Sequence, residues 1–438
     1  MTENPESAPS RTVRLGLLGC GTVGGALVEL VAERADDIAA RTGVRLVVSR
    51  VAVRDVSRDR GLPLGDAVVT DDPAAVVAAD DVDVVVEVVG GLEPAHALTV
   101  AALSSGKPVV SANKELLAHH GAALFELADA HGVDLLFEAA VAGGIPFVRP
   151  LRESLVGEDV TRVVGIINGT TNYILTKMTE EGWTYAEALA EAQALGYAEA
   201  DPTADVGGFD AGAKAAIIAT IAFGVAVSAA DVHHEGITEV SADDIATARR
   251  LGYQLKLVAV AERFDDGSVA VRVHPAMVPD AHPLAAVRDS FNAVFVEGRA
   301  VGDLMFYGRG AGGGPTGSAV LGDVIDAAVN LTKGAHASLG TFGEVTLRPQ
   351  SELPAACYLA VEVADRPGVL ATVAGVFGAH GVSIRSMEQV GSDTDATARL
   401  VFITHVAREA DVEATLDELR SLDVVASIDS VIRVLGDA

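Results

Sequence analysis

The chain has 438 residues, half of them hydrophobic, a formal net charge of −29 and a pI near 4.6. That length accommodates two or three domains of roughly 100–200 residues each. The acidity argues against nucleic acid or an anionic membrane as partner, since phosphates would be repelled over most of the surface, and the two distant cysteines, Cys20 and Cys357, exclude a disulfide framework.

The first residues, MTENPESAPS, are acidic and rich in Pro and Ser, so 1–12 reads as a disordered tail and not as a signal peptide. Val13–Leu18 is an apolar run that enters Gly19-Cys20-Gly21-Thr22-Val23-Gly24, and helical apolar spacing follows. Strand, glycine turn and helix in that order is the setting in which GxGxxG points to a dinucleotide. Gly19 makes the tight turn, Gly21 lets the backbone approach a pyrophosphate at the helix N-terminus, and Gly24 allows close helix–strand packing. The next strand, Val44–Val53, ends at Arg54, with Arg58 and Arg60 close behind. An arginine there suits the 2′-phosphate of NADP, although Asp55 one residue later keeps NAD open.

Strands and helices keep alternating through DVDVVVEVVGG (81–91), a helix from about Pro94, KPVVSANKELL and VDLLFEAAVAGGIP. This spacing predicts a doubly wound parallel sheet over 13–145, and ligands bind beyond the carboxyl ends of such strands. Gly90, Asn113, Lys114 and Glu138 fall there. Lys114 opens a helix, an electrostatically poor place for a cation, which points to function.

From 146 to 307 the pattern changes to an α+β domain with a largely antiparallel sheet, whose strands include Arg162–Ile167, Gln254–Arg263 and Val269–Val273. Within it, EADPTADVGGFDAGAKAA (199–216) leads four acidic residues through a Gly-Gly turn into a helix in which Asp210 and Lys214 share a face. Alone, this stretch fits a solvated loop with an ordinary ion pair as well as it fits a site. Only six lysines occur among 32 basic residues. Arginine serves wherever charge suffices, so a lysine kept in a cleft has a raised chance of moving protons. The apolar run 215–230 is shorter than the ~18 residues of a membrane span, and it reads as a buried helix of a cytoplasmic protein.

A glycine-dense loop, GRGAGGG (308–314), precedes a helix through Asn330, so 308–335 is expected to pack on the cofactor or the first domain. Residues 338–356 read as a linker, and 357–438 follow a βαββαβ order in which two helices cover a four-stranded sheet.

These motifs together resemble homoserine dehydrogenase in its longer form ending in an ACT domain. The stretches GCGTVGG, SANKELLA, FEAAVAGGIP, INGTTNYIL, EADPTADVGGFDAGAK, VHPAMVPDAHPLAAV and GRGAGGGPTGSAVLGDVI carry it, and DRPGVLATVAGVFGAHGVSI resembles the ACT ligand turn. Gly317 departs from a usual alanine and Asp289 from a usual glycine. The resemblance implies reversible reduction of L-aspartate 4-semialdehyde to L-homoserine with NADPH or NADH, on the route to threonine and methionine. It makes Lys214 the proton donor and acceptor, with Asp210 orienting it and Lys114 between nicotinamide and substrate. It assigns Glu199, Asp205 and Asp210, with Lys114, to the substrate. Gly19, Gly21, Thr22, Val23, Gly24, Arg54, Gly90, Lys114 and Gly312 fall to the cofactor. It also implies a monovalent cation, Na+, at the loop of Glu138, Val141, Gly143 and Ile145, and a threonine effector at Asp365, Pro367, Gly368, Val369 and Leu370. The assembly expected is a homodimer or homotetramer.

Overall fold

The computed structural model describes residues 11–344, 346–391 and 397–436, so the expected tail lies outside them but for its last two residues. The chain begins β1 (Arg11–Leu18), α1 (Thr22–Thr42), β2 (Val44–Ala52), β3 (Val68–Thr70), α2 (Pro73–Ala78), β4 (Val84–Glu87), α3 (Ala95–Ser104), β5 (Val109–Ser111), α4 (Lys114–His131) and β6 (Leu135–Leu136). Local chemistry sets the ends of these elements: Asp72 and Asn113 cap α2 and α4 through their side chains, while Gly43 and Gly132 end α1 and α4 in left-handed geometry.

It continues with β7 (Val160–Ile166), α5 (Gly169–Glu181), α6 (Tyr185–Ala194), α7 (Thr203–Val206), α8 (Phe209–Phe223), β8 (His233–His234), α9 (Ala242–Arg250), β9 (Tyr253–Arg263), β10 (Val269–Pro279), β11 (Phe291–Gly298), β12 (Gly302–Arg309) and α10 (Gly313–Lys333). The last part is β13 (Pro354–Ala364), α11 (Val369–Ala379), β14 (Ile384–Gly391), β15 (Thr397–Thr404), β16 (Ala407–Arg408), α12 (Glu409–Arg420) and β17 (Val425–Val434).

Two compact units result. The first gathers 11–163, 213–231 and 292–344. Its six-stranded sheet runs β3-β2-β1-β4-β5-β6 with every pair parallel, the doubly wound form expected. Leu15, Leu17, Val84 and Val86 are fully buried, each contributing about 1.5–3 kcal/mol relative to exposure. Helix α10 joins this core through Val320 and Val324 and packs on α1. A side-chain carbon at Gly317 would lie 2.9 Å from the Ala26 Cβ, so the glycine found there permits this close approach. The helix that follows the glycine loop therefore packs on α1.

The second unit gathers 164–212, 232–291 and the described residues from 346 onward. Its strands run β7-β9-β10-β17-β13-β15-β14. β9 and β10 are a long antiparallel pair, whereas β10 meets β17 in parallel at Ala276↔Arg433 and Met277↔Val434. The βαββαβ module at the end of the chain thus extends the sheet of the preceding domain. Part of the expected linker is also pinned: the Val269 N–H donates to Thr346 and the Arg348 N–H donates back to Val269. Strand β13 begins at Pro354, inside the stretch read as linker.

Candidate functional site

The turn after β1 is built as the motif requires. Gly19 has φ 101, and a side-chain carbon on it would meet the Val88 carbonyl at 2.8 Å; at Gly24 it would meet the Gly19 carbonyl at 2.5 Å. Around Gly21, the N-cap of α1, a side-chain carbon would meet nothing within 4 Å, which leaves room for a ligand at the helix N-terminus. A cleft of about 1020 Å³ opens there, lined by Gly19, Gly21, Thr22, Arg54, Gly313 and Gly314 among others. Val23, Gly24, Gly90, Lys114 and Gly312 are not in its wall; Gly312 instead caps α10 with φ 123. Arg54 is exposed, with Arg58 and Arg60 on the same cleft. Asp55 is occupied locally: its Oδ1 accepts from the Ser57 N–H (2.9 Å) and hydroxyl (2.6 Å), which hold the carboxyl below its usual range.

Sequence reading missed Glu87, at the end of β4 and 0% exposed. Its Oε1 accepts from the N–H groups of Val89 (3.0 Å) and Gly90 (3.2 Å), and its Oε2 accepts from the Ser111 hydroxyl (2.7 Å). Asn113 then donates to the Gly91 carbonyl (2.7 Å) and caps the helix that Lys114 begins. One buried carboxylate thus ties the Gly90 turn to the start of α4. A charged residue closing an all-valine strand was the available signal.

At the proposed cation loop, the Glu138 carboxylate accepts from three successive amides, those of Phe147 (2.5 Å), Val148 (2.8 Å) and Arg149 (2.8 Å). Asp323, buried on α10, accepts the Glu138 N–H (2.7 Å) and a bond from Arg149 (3.0 Å), and burial beside Glu138 pushes its carboxyl up to about 7 despite those bonds. Ala142 and Gly143 are both left-handed, with φ 56 and 55. A side-chain carbon at Gly143 would strike the Gly310 carbonyl at 2.1 Å, so this loop and the glycine-rich loop are in close contact. Among the described residues no group of three or more His, Cys, Asp or Glu side chains is placed to hold a metal ion.

The carboxylates of 199–216 divide in two. Asp205 and Asp210 come together on one donor: the Asn168 Nδ2 donates to Asp205 Oδ1 at 2.7 Å and to Asp210 Oδ2 at 2.8 Å. The amide cannot be turned round, because its Oδ1 accepts from the Thr171 N–H (2.8 Å) as the N-cap of α5 and from the Thr171 hydroxyl (2.9 Å). Asp210 is 7% exposed on the first turn of α8, and Lys214, half-buried, follows it by one turn. Glu199 is exposed, and its carbonyl accepts from Gln193 (3.0 Å). Sequence reading did not single out Asn168, although INGTTNYIL places it just after a strand and before Thr-Thr. Two carboxylates presented together by a neutral donor suit a cationic group such as an ammonium.

In the C-terminal module, Asp365, Pro367 and Gly368 form an exposed turn, with Gly368 at φ 93 leading into α11. Val369 is buried in the module core and Leu370 packs against it.

Comparison with known proteins covers the whole of this architecture. The family model for the homoserine dehydrogenase NAD binding domain matches 19–138, that for homoserine dehydrogenase matches 146–325, and that for the ACT domain matches 358–424. A homoserine dehydrogenase of Corynebacterium glutamicum is 48% identical over 439 residues, covering 99% of this chain and 98% of its own. The crystal structure of a homoserine dehydrogenase from Thiobacillus denitrificans superposes with a TM-score of 0.92 at 38% identity, covering 97% of this chain and 99% of that one. A hyperthermophilic archaeal homoserine dehydrogenase in complex with NADPH gives 0.63 at 31% identity, over 73% of this chain and 98% of that one.

Proposed function

The chain belongs to the homoserine dehydrogenase family, and from that premise we propose how its residues divide the reaction. The enzyme is a nicotinamide-dependent oxidoreductase that interconverts L-homoserine and L-aspartate 4-semialdehyde, and it carries an ACT domain. When bound, the nicotinamide supplies or takes the hydride. The glycine turn and the open N-terminus of α1 would hold the pyrophosphate, and Gly313 and Gly314 the far wall of that cleft.

Asp205 and Asp210 bind the substrate ammonium, and the bridge from Asn168 to both carboxylates is the observation that carries this reading. Lys214, one turn along α8, gives its Nζ proton to the oxygen that becomes the homoserine hydroxyl and takes it back in oxidation. Lys114 and Glu199 contribute to substrate binding. NADP is the preferred cofactor: of the residues on the cleft, Asp55 has its carboxylate engaged by Ser57, three arginines, Arg54, Arg58 and Arg60, share that wall, and the archaeal relative above was solved with NADPH.

The backbone carbonyls of Val141, Gly143 and Ile145 would hold a monovalent cation, as oxygen donors of the kind a hard cation takes. Glu138 braces that loop through three amides and is not itself the main donor. Threonine binds the ACT turn at 365–370, and the enzyme works in the cytoplasm as a homodimer or homotetramer. Steady-state oxidation of homoserine with NADP and with NAD, with and without threonine and across Na+ concentrations, tests these assignments together. Absence of turnover with homoserine would refute the catalytic roles given to Lys214 and the carboxylates.

A further inference from the structure

Arg433, on the last strand of the ACT domain, reaches out of its own module. Its Nη1 donates to Glu235 Oε2 at 2.7 Å, while its Nε and Nη2 grip the Glu409 carboxylate, the second at 2.7 Å. Arg433 and Glu409 are nearly enclosed, with side chains 13% and 14% exposed. Burial would push the Glu235 carboxyl up, but hydrogen bonds from His233 and Arg433 and the guanidinium charge hold it well below the usual range. A pair of this kind is stiff, because parting it strands an arginine out of water.

Glu235 belongs to a short segment with no slack on its other side. Its N–H donates to Val273 (2.7 Å), and the Ile237 N–H donates to the Val206 carbonyl (2.9 Å). A side-chain carbon at Gly236 would lie 2.2 Å from that same carbonyl, and one at Gly212 would lie 2.2 Å from the His234 Nε2. The His234 ring also packs on Phe209, centroids 5.0 Å apart. Residues 233–237 are therefore wedged against 206–212, the segment that joins Asp205 to Asp210 and starts α8.

We infer that Arg433 is a positioning residue for the substrate: through Glu235 it fixes the segment backing Asp205 and Asp210, so the ACT domain sets the affinity of the enzyme for its amino substrate. This rests on the reading of those two carboxylates as the ammonium site. The close-packed glycine contacts pass a displacement of Glu235 to the carboxylate turn because packed atoms move together.

The test is steady-state kinetics of the full-length enzyme. Arg433→Met should raise KM for homoserine about tenfold, within the range usual for coupled sites, with kcat and KM for NADP within twofold of wild type. Glu235→Gln should give the same pattern, the double variant should be no worse than either single one, and Arg433→Lys should fall between. Arg399→Met serves as the comparison. It breaks another contact of the ACT domain, that of Arg399 with Asp243 (3.4 Å) and Asp244 (3.5 Å) on α9, outside 233–237, and should leave KM unchanged. An unchanged KM in Arg433→Met, or an equal rise in Arg399→Met, would overturn the inference by reducing the contact to simple docking. If Arg433→Met does not fold, Glu235→Gln and Arg433→Lys carry the test, and an unchanged KM in both overturns it. Asp205→Asn separates the two readings. If it leaves KM for homoserine unchanged, the ammonium site itself is wrong; if it raises KM while the Arg433 variants do not, only the inference fails.

Discussion

Replacing Asn168 by aspartate is the sharpest probe of the carboxylate pair, because it keeps the shape and the helix cap while reversing what faces Asp205 and Asp210. Asp and Asn cap helices about equally well, so the bond to the Thr171 N–H survives and the melting temperature should hold within a few degrees. On the other side, the Asn168→Asp variant would set an ionised oxygen at the Nδ2 position, 2.7–2.8 Å from two carboxylate oxygens. At an effective dielectric constant of about 20, each such contact costs roughly 6 kcal/mol. The new carboxyl therefore takes up a proton at neutral pH. A protonated carboxyl offers one donor where the amide offered two, so one carboxylate loses a charge-assisted bond of about 1.5–3 kcal/mol. At about 1.4 kcal/mol per factor of ten, kcat/KM for homoserine should fall about 10- to 100-fold. The defect should deepen as pH rises and the third carboxyl ionises. Steady-state oxidation of homoserine across pH, with cofactor affinity measured separately by fluorescence, checks this. A kcat/KM within twofold of wild type throughout, or a loss confined to cofactor affinity, would refute the bridge as the organiser of the site.

Lys214→Ala should lower turnover about 10²–10⁴-fold, the usual contribution of a positioned acid or base, with cofactor affinity intact in a binding titration. Arg54→Ala should weaken NADPH binding selectively, and equal weakening for NADH would count against a 2′-phosphate contact. Lys256, whose Nζ donates to Asn172 (3.2 Å) and the Val287 carbonyl (2.5 Å), is held by burial and the Arg288 charge at about 8, down from 10.5. Below pH 8 it is protonated folded or unfolded and the buried charge costs stability in full. Between 8 and 10.5 the unfolded chain binds more protons, so stability rises with pH. Urea unfolding of wild type and Lys256→Met at pH 7.5 and 10.5 should show the difference move toward wild type by about 3 kcal/mol. Asp289 is left-handed with φ 52. Asp289→Gly should therefore stabilise the fold by about 0.5–1 kcal/mol in thermal melts, since glycine takes this geometry without a Cβ clash.

What the sequence made legible was local. Glycines at 19, 21 and 24 between an apolar run and a helical period specify a turn whatever lies elsewhere, and the structure builds that turn as read. The unusual aspartate at 289 and glycine at 317 were visible as departures, but their reasons were not. One is a backbone angle, and the other is the approach of α10 to α1 across nearly 300 residues of chain. Pairings set by distant partners escaped for the same cause: nothing around Val434 announces that β17 will lie beside β10, and nothing around Val269 announces Thr346. Asn168 and Glu87 were hidden differently. Each has a sufficient local explanation, a helix cap in one case and a strand end in the other, and the second half of each side chain works toward residues far along the chain.

That second half also bears on the kind of site proposed for the carboxylates. Sequence alone leaves several acidic residues in a loop open to either a hard cation or an ammonium. A metal on the two oxygens that the Asn168 Nδ2 serves would need that amide to present its oxygen instead. That oxygen is committed to the Thr171 N–H at 2.8 Å, and reversing the amide would place two donors head to head at the cap of α5. The N–H groups therefore stay aimed at the carboxylates. The amide presents both carboxylates through one nitrogen, and on the proposed reading the group they take is a cation bringing its own hydrogens. An ammonium is such a cation, and under that proposal its affinity depends on how firmly the turn between the two aspartates is held.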